Sequence, residues 1–205
     1  MVPKCLNRLR SNVRSFAVRE DGTSAIEFSF ILTLFLLPLW IGFTEVAVLQ
    51  KRTTTLNTTT ATVADMISQW PVASQQQMSQ VMTTAAYVLG EDTANSNEFT
   101  ITVMGVVIPA MRAPGDTSPP EKPWARWAMN NRNELSCPGF VALPDNVAKQ
   151  TAGTRAVIVA DGSLVYTSSL GLWDRGPSNL AHRAIYAPRE TANPAGPNEC
   201  SNPNP

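Results

Sequence analysis

The amino-acid sequence predicts an α+β protein in which an N-terminal transmembrane helix continues into a long helical stem, followed by a second short helix and a small, mainly antiparallel sheet. Three patterns predict it. Phe28 to Leu49 is a run of 22 residues interrupted by Ser29, Thr33, Pro38, Gly42, Thr44 and Glu45 alone. At about 1.5 Å per residue it is long enough to span a hydrocarbon core of about 30 Å. From Leu49, apolar residues recur every seventh position, at Leu56, Val63 and Trp70, the spacing of a narrow helical stripe. Beyond residue 98 the pattern becomes an alternation of Phe99, Ile101 and Val103 against Thr100, Thr102 and Met104, as in a half-buried strand.

The first element follows a basic leader. Residues 1–22 carry Lys4, Arg8, Arg10, Arg14 and Arg19 against Glu20 and Asp21, while the rest of the chain holds 11 basic and 14 acidic side chains. Positive charge before the apolar run places the N-terminus in the cytoplasm, with Lys51 and Arg52 beyond it opposing that bias. A secretory signal would have an apolar core of about 7–15 residues and an A-x-A-like exit. This run is longer and leaves through "TEVAVLQ", so we expect a retained anchor; a buried core helix is the rival reading. The formal net charge is zero, and no basic surface advertises nucleic acid.

The long helix is expected from about Thr23 to Gln69. Seven threonines lie between Thr53 and Thr62, and β-branched residues weaken an isolated helix, so this stretch needs neighbours. We expect Val63 and Trp70 to lie on the sheet and Leu49 and Leu56 to face a partner subunit, since a thin stripe with small flanks suits close helix approach. Pro71 ends the helix. Ser74 and Gln77 have the form of a capping box. Met78, Val81, Met82, Ala85, Ala86 and Leu89 then share one face, and Gly90 suits a C-terminal cap.

"FTITVMGVVI", Phe99–Ile108, is the first strand, and a loop "APGDTSPPEKP" follows it. Trp124 and Trp127 in "WARWAMNNRNELSCPG" are read as aromatic caps on a sheet or a partner. "RAVIVADGSLVYTSS" is the second strand region. Its Asp161-Gly162 pair suits a type I′ hairpin turn, and periodicity leaves hairpin and continuous strand both open. "AHRAIYAPR" supplies a third strand, Arg183–Ala187. From Glu190 onward, Asn193-Pro194, Gly196-Pro197 and Asn202-Pro203 indicate an irregular tail.

The cysteines divide by this topology. Cys5 falls on the cytoplasmic side, whereas Cys137 and Cys200 fall on the outer side, where a disulfide persists; two unpaired thiols are the alternative. No catalytic or cofactor-binding constellation is apparent. The single histidine, His182, has no Cys pair near it in sequence, and Cys137 and Cys200 lack the C-x-x-C spacing of a zinc site. G-x-S-x-G, H-E-x-x-H and the phosphate-binding G-x-x-x-x-G-K-[ST] are absent. No enzyme, metal or cofactor is expected.

Residues 21–28, "DG|TSAIEF", combine a basic leader, a glycine, four residues, a glutamate and an aromatic at the start of an apolar helix. This resembles the cleavage site of type IV prepilins. The resemblance implies cutting after Gly22 by a prepilin peptidase, Thr23 as the new N-terminus, and Glu27 as the fifth mature residue, an assembly register pin. The longer stretch "GTSAIEFSFILTLFLLPLWIGFTEV", with Glu45 near its outer end, resembles the TadE/TadG-like family of tight-adherence (Flp) pilus systems. "VIVADGSLVYTSSLG" and "RAIYAPRE" resemble that family's later strand and its Pro-Arg ending. Pro38 lies later than the family's usual proline, Leu164 replaces an expected aromatic, and Ser168 stands where proline is common. The alignment favours a continuous strand over Ala156–Thr167.

The resemblance implies a pilin-like fold and the role of a minor pseudopilin in pilus assembly. Its partners would be the prepilin peptidase, other pilin-like subunits, the inner-membrane assembly platform and membrane lipid. The expected organisation is a cytoplasmic leader at 1–22, a transmembrane helix at 23–49, a periplasmic helical stem at 50–90, a periplasmic β-rich domain at 91–189 and an irregular tail at 190–205. This is a single-pass inner-membrane protein with an outer C-terminal domain. The alternative is an uncleaved anchored periplasmic scaffold or binding module.

Overall fold

Backbone is described here for residues 20–89, 98–110, 121–148, 155–168, 177–189, 196 and 199–204 of a computed structural model, with side chains from residue 24 onward. Helix α1 spans Glu20–Ser68 and contains Pro38. The chain divides into two compact units, Met1–Val48 and Leu49–Pro205. In the first, α1 is long and apolar enough to cross a membrane.

In the second unit, α1 stops at Ser68, just before Pro71. Ser74 then caps helix α2, Gln75–Val88: its hydroxyl accepts the Gln77 N–H, while the Gln77 side chain accepts the Ser74 N–H. Met78, Met82, Ala85, Ala86 and Leu89 are buried, as the face predicted from their spacing requires. Gly90 lies outside the described residues. The Arg52 guanidinium donates to the Leu89 carbonyl at 2.6 Å, tying the end of α2 to α1.

Five strands follow: β1 Phe99–Ile108, β2 Trp124–Asn130, β3 Leu135–Ser136, β4 Arg155–Tyr166 and β5 Ser178–Tyr186. A one-turn helix, α3 Asp145–Ala148, precedes β4. The sheet order is β3-β2-β1-β4-β5, and every pair is antiparallel. β4 is continuous through Asp161-Gly162, with no turn there. β5 begins before the Arg183 expected from sequence because Ser178 to Leu180 already pair with Leu164 to Tyr166. β2, whose Trp124 and Trp127 the sequence offers as aromatic caps, is instead a seven-residue strand lying between β3 and β1.

One sheet face packs on the helices. Phe99, Ile101, Val103, Trp127, Met129, Ile158, Ala160 and Leu164 join Leu56, Val63, Ala64 and Ile67 of α1 and the buried face of α2 in one core. This corrects the expectation that Leu56 faces a partner: it is 0 % exposed and belongs to this core. The buried line on α1 is Leu56, Thr59, Thr60, Val63, Ala64, Ile67 and Ser68, a full three-and-four-residue periodicity. Threonines at 59 and 60 hid half of it from a reading of apolar letters. The other sheet face carries Met104, Val106, Ile108, Val157 and Val159 against Val141, Leu143 and Val147 of the segment leading into α3.

Candidate functional site

The membrane segment is the first candidate. From Ile26 to Val48, fourteen large hydrophobic side chains are each 42–71 % exposed. That apolar surface far exceeds the few hundred Å² a soluble monomer ordinarily shows. Glu27 is exposed on the same stretch. Insertion scales put a carboxylate at the centre of a membrane helix at about 2.5–3.5 kcal/mol. Glu45, near the C-terminal end of the run, is 6 % exposed.

Gly22 and Thr23 lie within α1, Glu20–Ser68; their side chains are outside the described residues. The Gly22–Thr23 bond therefore lies within helical backbone. Thr23 and Glu27 are four residues apart in α1, about one helical turn. The structure thus gathers the sequence-predicted processing and register residues on about two turns of helix.

The second predicted pair is joined covalently. Cys137 and Cys200 form a disulfide with Cα atoms 5.6 Å apart. Around it is a feature the sequence reading missed. β1 and β2 pair Gly105 with Trp127 but Val106 with Ala125, so Arg126 is an extra residue opposite nothing on β1, a β-bulge. The bulge turns the Trp127 ring onto the helix-side core, where it is 0 % exposed. A Cβ at either Gly105 or Gly196 would fall inside that indole, so bare backbone covers it on both sides.

The tail is fastened at the bulge. The Cys200 N–H donates to the Arg126 carbonyl at 2.5 Å, and the Arg126 guanidinium pairs with Glu199. Asn204 Oδ1 accepts the Lys122 N–H and Asn204 Nδ2 donates to the Lys122 carbonyl, both at 3.2 Å. On the same margin β3 pairs with Ala128 and Met129, and the Ala125 N–H donates to the Gly139 carbonyl at 2.8 Å.

Polar side chains elsewhere among the described residues form ion pairs and hydrogen bonds. Across β4 and β5, Arg183 donates from Nε and Nη2 to the two Asp161 oxygens at 2.5 and 2.7 Å, and from Nη1 to the Ala142 carbonyl at 2.6 Å. The Asp161 hydrogen bond raises the Arg183 pKa above its ordinary value, against a smaller lowering by burial. His182 lines an open depression with Asp65 and Arg189. The Asp65 oxygens accept from Arg189 at 2.6 Å and Gln69 at 2.9 Å, and the Thr58 and Thr62 hydroxyls there donate to backbone carbonyls. This arrangement offers no activated nucleophile. A groove of about 290 Å³ between α1 and α2 is lined by side chains such as Val63, Met66, Trp70 and Val81, with no ionisable group. Among the described residues, no three His, Cys, Asp or Glu side chains are placed to share a metal.

No family model matches the chain, and no curated protein or solved structure matches it either.

Proposed function

We propose that the chain is a minor pilin-like (pseudopilin) assembly subunit of the tight-adherence type, anchored once in the inner membrane with Leu49–Pro205 in the periplasm and cut by a prepilin peptidase after Gly22. The observation that carries the reading is the placement of Glu27. An exposed carboxylate sits on an otherwise apolar helical surface, one turn beyond the residue that cleavage would make the N-terminus. A free α-amine at Thr23, on the same helical face, would offset the Glu27 charge, and an ion pair costs much less to hold in an apolar medium than either charge alone. The largely exposed apolar surface from Ile26 to Val48 supports the same reading, because lipid or other subunits must cover it. The runner-up is an uncleaved anchored scaffold, which uses the same surface and leaves Glu27 with no amine beside it.

N-terminal sequencing of the mature protein separates the two: Thr23 for the proposed subunit, Met1 for the anchor. Gly22→Leu should abolish the removal of roughly 2–3 kDa, and Glu27→Ala should leave cleavage intact while reducing recovery in assembled pili. A Gly22→Leu chain that migrates with wild type in cells containing the peptidase would refute processing at this site.

A further inference from the structure

The exposed face of α2 changes character from one end to the other. Gln75, Gln76, Gln77, Gln80, Thr83 and Thr84 are exposed, and all are polar. In the last turn Tyr87 is 67 % exposed and Val88 60 %, so an aromatic ring and a branched aliphatic side chain replace amides and hydroxyls. A helix packed on a core needs its apolar residues on the buried face, and Met78, Met82, Ala85 and Ala86 already supply that face. The same last turn is bonded close to where the apolar run ends. The Arg52 guanidinium donates to the Leu89 carbonyl at 2.6 Å, and Arg52 follows Leu49, the last residue of the run, by three positions in α1. At the helical rise that is about 4.5 Å, and no backbone path of three residues exceeds about 11 Å. The polar layer of a bilayer is about 5–8 Å thick on each side of the hydrocarbon. Arg52 also gives the end of α2 a cation and a donor for one of its open carbonyls, so this helix terminus brings less bare negative charge into such a layer. Tyrosine is enriched at that depth, where its ring meets the acyl boundary and its hydroxyl the head groups.

We propose that the last turn of α2, through Tyr87 and Val88, is a second lipid contact, resting in the head-group layer of the bilayer that the apolar run crosses. The proposal rests on the membrane-anchored reading of α1 and is independent of cleavage at Gly22 and of the pilin-like role. Continuity of the chain selects the occupant: a bilayer around residues 28–49 is the apolar medium nearest to a turn bonded to Arg52. Charge does not select it. Lys51 and Arg52 are offset by Glu91 and Asp92, which follow α2 in sequence, so the contact is one of ring and aliphatic burial and needs no anionic lipid. Two side chains alone would hold a free bilayer weakly, but attachment through α1 makes the contact intramolecular and raises its effective concentration. Residues 49–205 are then held to the membrane at two points, which limits their swing about the helix exit.

The test uses the full chain with Cys5→Ser in phosphatidylcholine nanodiscs, one copy per disc, with a nitroxide attached at Val88→Cys, Val72→Cys or Phe35→Cys. Val72 is the same residue type at 59 % exposure, but it follows the end of α1 at Ser68, about 28 Å of helix beyond Leu49. Phe35, 69 % exposed, reports on the apolar run itself. Relaxation of each label by oxygen, which concentrates in lipid, is compared with relaxation by a water-soluble nickel chelate. The oxygen-to-nickel ratio at residue 88 should exceed that at residue 72 roughly threefold or more and fall below that at residue 35. Adding Tyr87→Ser to the Val88→Cys chain should lower its ratio roughly twofold with the melting temperature unchanged, since the exposed ring adds little to the core. A ratio at residue 88 equal to that at residue 72, with residue 35 in lipid, would overturn the proposal and leave the anchor standing. A water-like ratio at residue 35 would overturn both. A label at residue 88 that is shielded only in discs holding several copies would overturn the lipid contact in favour of a second copy.

Discussion

Replacing Gly162 with alanine tests how α1 sits on the sheet. Gly162 lies in mid-β4, between Ile101 of β1 and His182 of β5. A Cβ there would overlap the Thr60 hydroxyl and would lie 3.1 Å from Leu56 Cδ1 and 3.4 Å from Thr60 Cβ. Both side chains are 0 % exposed, and a β-branched threonine on a helix has little rotamer freedom, so the strain falls on the helix–sheet spacing. Overpacking of this kind costs about 1–3 kcal/mol, while loss of glycine's freedom in the unfolded chain returns about 0.4–1 kcal/mol. The expected net destabilisation is about 1–2 kcal/mol, or a fall in Tm of about 2–8 °C for a domain of this size, measured by circular dichroism on the full chain in micelles. Thr60→Ala removes the overlapping hydroxyl and leaves the 3.4 Å contact with Cβ of residue 60 and the tight 3.1 Å approach to Leu56 Cδ1, so the double variant should melt above Gly162→Ala alone but below wild type, with a coupling of about 1 kcal/mol. A Gly162→Ala protein that melts like wild type would refute the close approach. A loss that Thr60→Ala does not relieve would point to backbone strain at Gly162, the signature of the turn that the sequence also allowed.

Two further outcomes follow from the same packing. Leu56→Asp should destabilise the full chain by about 3–5 kcal/mol, as an unpaired buried charge does, and the melting temperature should collapse; an unchanged melt would return Leu56 to a partner-facing role. Reducing the Cys137–Cys200 bond, which spans a sequence separation of 63, should cost about 4 kcal/mol in the chain-entropy model, read as a lower denaturation midpoint in excess dithiothreitol than in its absence, with no shift in a Cys200→Ser chain.

The elements legible in the sequence were those with an unbroken period. Phe99–Val103 alternates and the apolar run continues to Ile108, forming β1 with those bounds, and Ser74 with Gln77 announces α2 before any packing is known. β2 was missed because its bulge breaks the period: Trp124 and Trp127 are three apart, a helical spacing, and only the extra residue Arg126 reconciles that with a strand. The helix–sheet contact was half missed for a related reason. Thr59 and Thr60 look polar but are 5 % and 0 % exposed, so the seam on α1 reads as thinner than it is. At the candidate site, Gly22, Thr23 and Glu27 are singled out by local spacing alone, and the structure adds that all three lie on one helix. The tail's seat on β2 joins residues more than seventy positions apart, and no local pattern encodes it.

The threonines of α1 carry one more consequence. Thr53, Thr58 and Thr62 donate to the carbonyls of Leu49, Thr54 and Thr58 at 2.8–2.9 Å, and Thr33 does the same to Ser29 at 2.8 Å. These hydroxyls are spent inside the helix, leaving methyl groups as the outward chemistry. Such a surface asks little of its surroundings: it needs no water to complete its hydrogen bonds and presents no bare donor to hydrocarbon. A hydropathy profile scores this stretch as wet, yet its internal bonding makes it nearly indifferent to the medium.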